Sequence, residues 1–380
     1  MDFLYFCKLN YQAMRRFFLS GLIVLSVLLS CDRNVQGGRD TIDLVKVISS
    51  DSNSPEYAML SGFSKVPSSG DIYLVGSPAA CSLMADSFLS CDRADNARGK
   101  EATDGLKDFA GETFACISDD LYTPYGAFAA RHGQDSLRDL AVRFALSALD
   151  SKCSVSIYDL DGNKEKTPAK LIILADPWLL ECGKFDIDTL FSLTSCRVPV
   201  ISPEELLLDA ALGGEKKYFN IGIVCDSLYI KDGVFTKLFA AKAGEHDVVG
   251  AHCFQASTAQ DGGVLANFLE AYLEAGNTAP LDAVLIDDWS VDEEALAGEI
   301  AAIRDLNREE SMRYGKLLSP QFAVFDSASL TMTSCYRLLR ERSLFTHRIA
   351  QPRSCTYSVA TRLDSDDTQF LLIPSENVQD

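Results

Sequence analysis

The sequence predicts an α/β fold in which two doubly wound lobes each contain a parallel sheet, with a cleft between the lobes. Short apolar runs alternate with amphipathic segments, most regularly over residues 219–327. This alternation indicates parallel strands covered on both faces, because each crossover returns the chain to the same end of the sheet. A chain of 380 residues also exceeds what one hydrophobic core usually spans, which favours two lobes.

The second lobe, expected over residues 213–327, has the clearest pattern. Its strands are predicted at residues 219–225, 247–254, 282–286 and 321–325. Between them, apolar residues recur at helical spacing near residues 234–244, 264–276 and 293–307. Each strand of this lobe is thus followed by a helix, as a doubly wound sheet requires.

The first lobe, expected over residues 41–212, is less regular. Residues 135–150 carry an apolar stripe that predicts a helix. Strands are predicted at residues 41–49, 72–75, 113–117, 155–158, 171–174 and 198–201. The predicted strands at 155–158 and 171–174 are joined by a segment that contains Asp161. This connection is either a crossover between parallel strands or part of an antiparallel hairpin. Residues 328–380, with a helix at 330–342 and an apolar run at 370–373, are expected to return and pack on this lobe.

The N-terminus has the features of a secretory leader over residues 1–30. Met14-Arg15-Arg16 precedes an apolar run that is shorter than the ~20 residues a membrane span needs. Leu28-Leu29-Ser30-Cys31 resembles the bacterial lipobox, which implies acylation of Cys31 and a tether over residues 31–40. The prediction is a bacterial lipoprotein of the cell envelope, periplasmic or at the surface, held to the lipid bilayer through Cys31.

Charge and cysteine content narrow the function classes. The formal net charge of -19 makes a nucleic-acid partner improbable, because such a surface repels phosphate backbones. The chain has no C-x-x-C pair, which argues against a zinc ribbon or a thioredoxin-type motif. An exported chain could form disulfides, and the candidates that lie near each other in sequence are Cys81 with Cys91, Cys182 with Cys196, and Cys335 with Cys355. The sequence does not decide how the cysteines pair.

Polar side chains follow the predicted strands at the points where the strands end. In open parallel sheets, ligands bind beyond the carboxyl ends of the strands, so these residues should share one rim. Carboxylates there would accept hydrogen bonds from hydroxyls or amines, and aromatic rings would stack on a flat ligand. The alternative for each acid is to cap the helix that follows its strand.

The runs from Ile221 to Asp226 and from Ala283 to Asp288, together with the lipobox, make the chain resemble the type I periplasmic binding proteins, which include basic membrane lipoproteins and sugar receptors. The resemblance extends from about residue 113 to 349. It implies a solute-binding protein that holds a sugar, nucleoside or similar small polar ligand between its lobes, without catalysis, and a membrane permease as a further partner. The ligand-binding residues it implies are Asp119, Asp120, Asp176, Trp178, Asp226, Ser227, Tyr229, Gln255, Asp288, Trp289 and Asp326.

Two other classes stay open. A secreted hydrolase could use Ser227 and His252 with an acid, or a metal held by strand-end carboxylates. However, Ser227 lacks the G-x-S-x-G context, and His252 lies within an apolar run typical of a core position. The third class is a cell-surface interaction lipoprotein without a small ligand. No catalytic residue, metal ligand or cofactor is assigned, because no phosphate-binding glycine pattern or metal-ligand spacing is present.

Overall fold

A computed structural model describes residues 39–159, 162–214, 218–257, 263–305, 309–363 and 368–375. Residues from Ile42 to Asp380 form one compact unit, and the description concerns that unit. The predicted leader and the acylation site at Cys31 lie outside the described residues, so both stay predictions. Within the described ranges, no helix combines the length and the apolar composition needed to cross a membrane.

The first sheet is built from both ends of the unit. Its elements and flanking helices are α1 (Asp43–Ser50), α2 (Pro55–Gly62), β1 (Asp71–Gly76), α3 (Pro78–Ser90), β2 (Thr113–Ser118), α4 (Tyr125–His132), α5 (Gln134–Leu149), β5 (Ala169–Leu174), α6 (Pro177–Leu193), β6 (Val200–Ile201), α7 (Pro203–Leu212), β11 (Arg353–Leu363) and β12 (Thr368–Pro374). The strand order is β12-β11-β2-β1-β5-β6. All neighbours are parallel except β11 and β12. A separate antiparallel pair joins β3 (Lys152–Cys153) to β4 (Lys164–Glu165).

The second sheet comes from one continuous stretch of chain. Its elements are β7 (Asn220–Cys225), α8 (Ser227–Asp232), α9 (Val234–Glu245), β8 (His252–Ser257), α10 (Val264–Glu274), β9 (Leu281–Ile286), α11 (Glu293–Arg304), α12 (Glu309–Tyr314) and β10 (Leu318–Asp326), followed by α13 (Ser327–Glu341). The strand order is β10-β9-β7-β8, and every pair is parallel.

The two sheets form because their central strands are mostly apolar and bury these side chains on both faces. Every residue of β1 and β5 is buried, and β7 and β9 are buried over most of their length. Helices then start directly after strand ends, with Pro in the first turn of α3, α6 and α7. The α/β class with parallel sheets is therefore confirmed.

Two local predictions in the first sheet region are wrong. Residues 41–49 form helix α1 instead of a strand, because Ile42, Val45 and Ile48 point inward at helical spacing. Residues 155–158 form bends and turns rather than a strand. The predicted disulfides are also absent among the described cysteines, since all ten of these are free thiols.

Candidate functional site

The parallel register brings the carboxyl ends of the strands to a common edge in each sheet. Gly76 of β1 pairs with Ser118 of β2, and Ile286 of β9 pairs with both Val224 of β7 and Asp326 of β10. Each following segment then exposes the free N–H groups of a helix or turn, which a carboxylate can satisfy. Acidic residues consequently collect at both edges.

One hydrogen bond joins the two edges. Tyr229 lies in α8, which follows β7 of the second sheet, and Asp176 follows β5 of the first sheet. The Tyr229 hydroxyl donates a hydrogen bond to Asp176 Oδ2 at 2.8 Å. The other oxygen of Asp176 accepts the Trp178 backbone N–H at 2.8 Å and caps α6. Asp176 is therefore fixed through both oxygens at the junction between the sheets.

Burial shifts the pKa of several of these carboxyls towards neutrality. It raises the pKa of Asp176 to about 7, against the lowering effect of the Tyr229 hydroxyl and the α6 N–H groups. Asp287, directly after β9, also has its pKa raised to about 7, first by burial and then by the charges of Asp176 and neighbouring acids. A carboxyl with a pKa near 7 is present in both its protonated and its ionised form at neutral pH, whereas an ordinary carboxyl is ionised.

Glu204 is the third carboxyl of this group and lies at the start of α7. It is 2% exposed and contacts the Ser202 hydroxyl. Burial raises its pKa, and the nearby charges of Asp287 and Asp176 raise it further. Three mutually repelling carboxyls cannot all ionise at neutral pH, so the group retains at least one proton. Asp287 is the member of this group that keeps part of its surface accessible.

Buried polar atoms without partners cluster at the same edges. Seven such side-chain atoms occur among the described residues, and five lie in segments that follow a strand's carboxyl end: Asp119 Oδ2, Tyr125 Oη, Trp178 Nε1, Trp289 Nε1 and Ser327 Oγ. Asp119 and Tyr125 face each other, since the Tyr125 hydroxyl lowers the pKa of the Asp119 carboxyl, so the atoms left without any polar neighbour of this kind are the indole N–H groups of Trp178 and Trp289. Ser327 faces Asp287 and lowers the pKa of that carboxyl without forming a hydrogen bond of normal geometry.

The junction is closed by close packing of the two sides. Gly126, at the start of α4, has no room for a Cβ, because that atom would stand 2.7 Å from Trp178 Nε1 and would also meet the Asp232 carboxylate. The Lys237 ammonium of α9 lies 4.8 Å from the centre of the Trp178 ring. Trp289 packs on Phe88 of α3 with ring centres 6.0 Å apart. These contacts hold the two edges against each other.

The structure brings some of the sequence-predicted site residues together. Asp176, Trp178 and Tyr229 meet at the junction. Asp119 is fully buried, with its pKa raised by burial, and its Oδ1 accepts the N–H groups of Leu121 and Tyr122 at 3.0 Å. Trp289 reaches the first sheet through Phe88.

Other predicted residues behave as caps or lie elsewhere. Asp226 is exposed and caps α8, and Asp326 caps α13. Asp288 closes a turn with Ser290 at 2.8 Å. Gln255 lies inside β8 and donates to Thr236 of α9 at 2.9 Å, away from the strand end. Asp120 and Ser227 are exposed.

The Ser227 and His252 pairing for a hydrolase is not formed. His252 is exposed at the amino end of β8, where it pairs with Asn220, while Ser227 follows the carboxyl end of β7. The length of the strand, about 17 Å for five residue steps, therefore separates them. The placement of His252 in a core strand is also wrong, since that strand begins five residues later than predicted.

Glu204 and Tyr125 were missed by reasoning from the sequence. In the sequence, Glu204 has the position of an ordinary acidic residue in the first turn of a helix. Tyr125 follows a proline and is not adjacent to a strand. Tertiary contacts bury these groups, Tyr125 against Phe144 of α5 and Glu204 near Asp287, so no local signal identifies them. Among the described residues, no three His, Cys, Asp or Glu side chains are arranged to hold a metal ion.

Comparison with known proteins gives matches only among solved structures. No family model and no curated protein matches the chain. Glutamate racemase from Francisella tularensis, in complex with D-glutamate, has a TM-score of 0.44 and 13% identity over 77% of this chain and 90% of that one. Glutamate racemase from Thermus thermophilus has a TM-score of 0.44 and 15% identity over 77% and 89%. A LacI family regulator from Arthrobacter, in complex with lactose, has a TM-score of 0.22 and 13% identity over 76% and 96%.

These matches correct the predicted function. Five of the matching structures are glutamate racemases, which are enzymes, so the prediction of a non-catalytic solute-binding protein with a role in transport is wrong. Of the predicted resemblance to type I periplasmic binding proteins, the part that the structure of this chain shows is the α/β layering with parallel sheets. At these identities and TM-scores the likeness identifies no reaction, and the chemistry has to come from the residues of this chain.

Proposed function

We propose that this protein is an enzyme that transfers protons to and from a small polar substrate, with Asp176 and Asp287 as its acid and base. The observation that carries the proposal is the pKa of about 7 that burial gives to both carboxyls, which belong to different sheets. A general acid or base works best when its pKa lies near the working pH. Strongly perturbed pKa values also concentrate at functional sites.

The repulsion among Asp176, Asp287 and Glu204 supports different roles for the two catalytic carboxyls. When one ionises, its charge raises the pKa of the others, so an ionised base and a protonated acid coexist at neutral pH. The base removes a proton from a substrate C–H bond that a neighbouring carbonyl makes acidic, and the electron pair stays on the substrate. The protonated partner then donates its proton to the substrate.

Tyr229 is proposed as a positioning residue. Its hydroxyl holds Asp176 Oδ2 at 2.8 Å, which fixes that carboxyl in orientation. Access for a substrate requires the two edges to separate as two lobes, and the accessible side of Asp287 is the proposed point of entry. The carboxylates favour substrates with hydroxyl or ammonium groups, which donate hydrogen bonds to them.

Hydrogen–deuterium exchange tests the proposal across several substrate classes at once. The protein is incubated in D₂O at pH 7 with pools of amino acids, hydroxy acids and sugars, and loss of C–H signals is followed by proton NMR. We expect exchange in one chemical class and a reduction of about 100-fold or more in both Asp176→Asn and Asp287→Asn, the usual effect of general acid–base groups. Asp226→Asn, at an exposed helix cap, is the matched control and should exchange at the original rate. Exchange that survives in both junction variants would refute the assignment.

A further inference from the structure

A concave site lies at the opposite end of the second sheet from these carboxyls. Between the pairs Leu318 with Leu281 and Ala323 with Ala283, four residues of β10 face a single residue of β9. Residues 319–322 therefore leave the ladder as a bulge, a feature that often shapes binding sites. The bulge, the end of α11 and the start of α12 enclose a groove of about 770 Å³.

The groove is distinct from the acid–base junction. It opens at the amino end of β10, while Asp326 and Asp287 lie at the carboxyl ends of β10 and β9. The five residue steps of β9 between Leu281 and Ile286 separate the two places by about 17 Å.

Two cationic side chains line this groove. Arg304 donates through Nη2 to the backbone oxygen of Phe322 at 2.9 Å, which holds the guanidinium at the rim and leaves its remaining donors available. Lys316 is exposed and has no ion pair with any residue in the described part of the chain. Among the residues of the described chain that line the groove, none is acidic, although the whole sequence has a net charge of -19. A positive groove on an acidic protein favours an anionic ligand.

The remaining lining combines an unpartnered hydroxyl with apolar surface. Ser319 Oγ is buried without a hydrogen-bond partner. Ile303 and Phe322 are buried beside it, and Met312 is 72% exposed at the entrance. Concave sites with an apolar wall and a few convergent polar groups are typical of small-ligand binding.

We propose that this groove binds a small amphipathic oxyanion, whose carboxylate or phosphate head pairs with Arg304 and Lys316 and whose apolar body lies on Ile303, Phe322 and Met312. The Ser319 hydroxyl donates a hydrogen bond to the head. Arg is suited to this role because its planar donors match both carboxylate and phosphate oxygens.

Ligand-observed NMR titrations of the full-length protein test this proposal with octanoate, octyl phosphate, octylamine and inorganic phosphate. We expect octanoate, octyl phosphate or both to bind, and the stronger of the two identifies the head group. Lys316→Gln should weaken that binding by at least about tenfold, the effect of losing one charge-assisted contact of about 1.4 kcal/mol. Arg304→Gln should weaken it similarly, whereas Lys65→Gln, which removes an exposed charge outside the groove, should not.

Several outcomes would overturn the proposal. These are no binding of either octyl anion, equal binding of octylamine, inorganic phosphate binding as tightly as octyl phosphate, or unchanged octyl-anion affinity in Lys316→Gln. Lys316 makes no hydrogen bond or ion pair with the described residues, so its replacement leaves the fold intact, and circular dichroism verifies this.

Discussion

Replacing Asp176 by Asn should stabilise the protein at high pH and destabilise it at low pH. Burial raises the pKa of this carboxyl from 3.8 to about 7 in the folded state. Below pH 3.8 the carboxyl is protonated in both states. As the pH rises towards 7, the unfolded chain releases the proton while the folded protein keeps it, so the free energy of unfolding falls, and above pH 7 the loss is constant.

The magnitude follows from the size of this shift. One pKa unit corresponds to about 1.4 kcal/mol, so a shift of about three units costs the wild type about 4 kcal/mol at pH 8. Asn carries no charge and avoids this cost, and it still caps α6. It loses one acceptor for the Tyr229 hydroxyl, which costs about 1 kcal/mol at every pH. The net expectation is about 3 kcal/mol of stabilisation at pH 8 and about 0.5 kcal/mol of destabilisation at pH 4.

Urea unfolding followed by tryptophan fluorescence from pH 4 to pH 8 measures this difference. The comparison of variant with wild type isolates Asp176 from the other titrating groups. Asp226→Asn serves as the control, because it makes the same replacement at an exposed helix cap. If Asp176→Asn is less stable than wild type at every pH, Asp176 is ionised and acts as an ordinary helix cap, and the case for a catalytic carboxyl fails.

Three further predictions concern other parts of the molecule. Gly126→Ala should lower the free energy of unfolding by about 1–3 kcal/mol and alter tryptophan emission, because its Cβ meets the Trp178 indole, whereas Gly62→Ala, with open space around it, should be neutral or stabilising. Arg138→Met should cost about 3–5 kcal/mol in urea unfolding, because it leaves the fully buried carboxylate of Asp186 without its 2.7 Å partner; an unchanged unfolding midpoint would contradict this. Cys31→Ala should abolish incorporation of a labelled fatty acid, because the sequence predicts acylation of this cysteine, and incorporation that persists in the variant would contradict that prediction.

The second sheet was predictable from the sequence because its strands are short apolar runs and its helices are amphipathic. Strands β7 and β9 differ from their predicted bounds by one residue, and α9 starts where its pattern starts. The region of the first sheet was harder to predict. At α1, the side chains of Ile42, Val45 and Ile48 are buried while Val47 is 65% exposed. In so short a segment, the apolar residues fit both the helical and the strand periodicity.

The site was only partly predictable. The position of Asp176 after a strand indicated where it would lie, but its bond to Tyr229 and its raised pKa depend on the second sheet covering it. Glu204 gives the clearest contrast, because an acid in the first turn of a helix is usually solvated, and here tertiary packing buries it. Burial of polar groups is a property of the assembled sheets, which no local pattern encodes.

The strand order of the first sheet also has a consequence for synthesis. β11 and β12 pair beyond β2, yet among the described strands they are synthesised last. Until then β2 presents an unpaired edge, which is open to pairing with another nascent chain. The second sheet comes from a single continuous segment and can form earlier during translation. A truncation before residue 353 should therefore leave a soluble second half attached to an aggregation-prone first half.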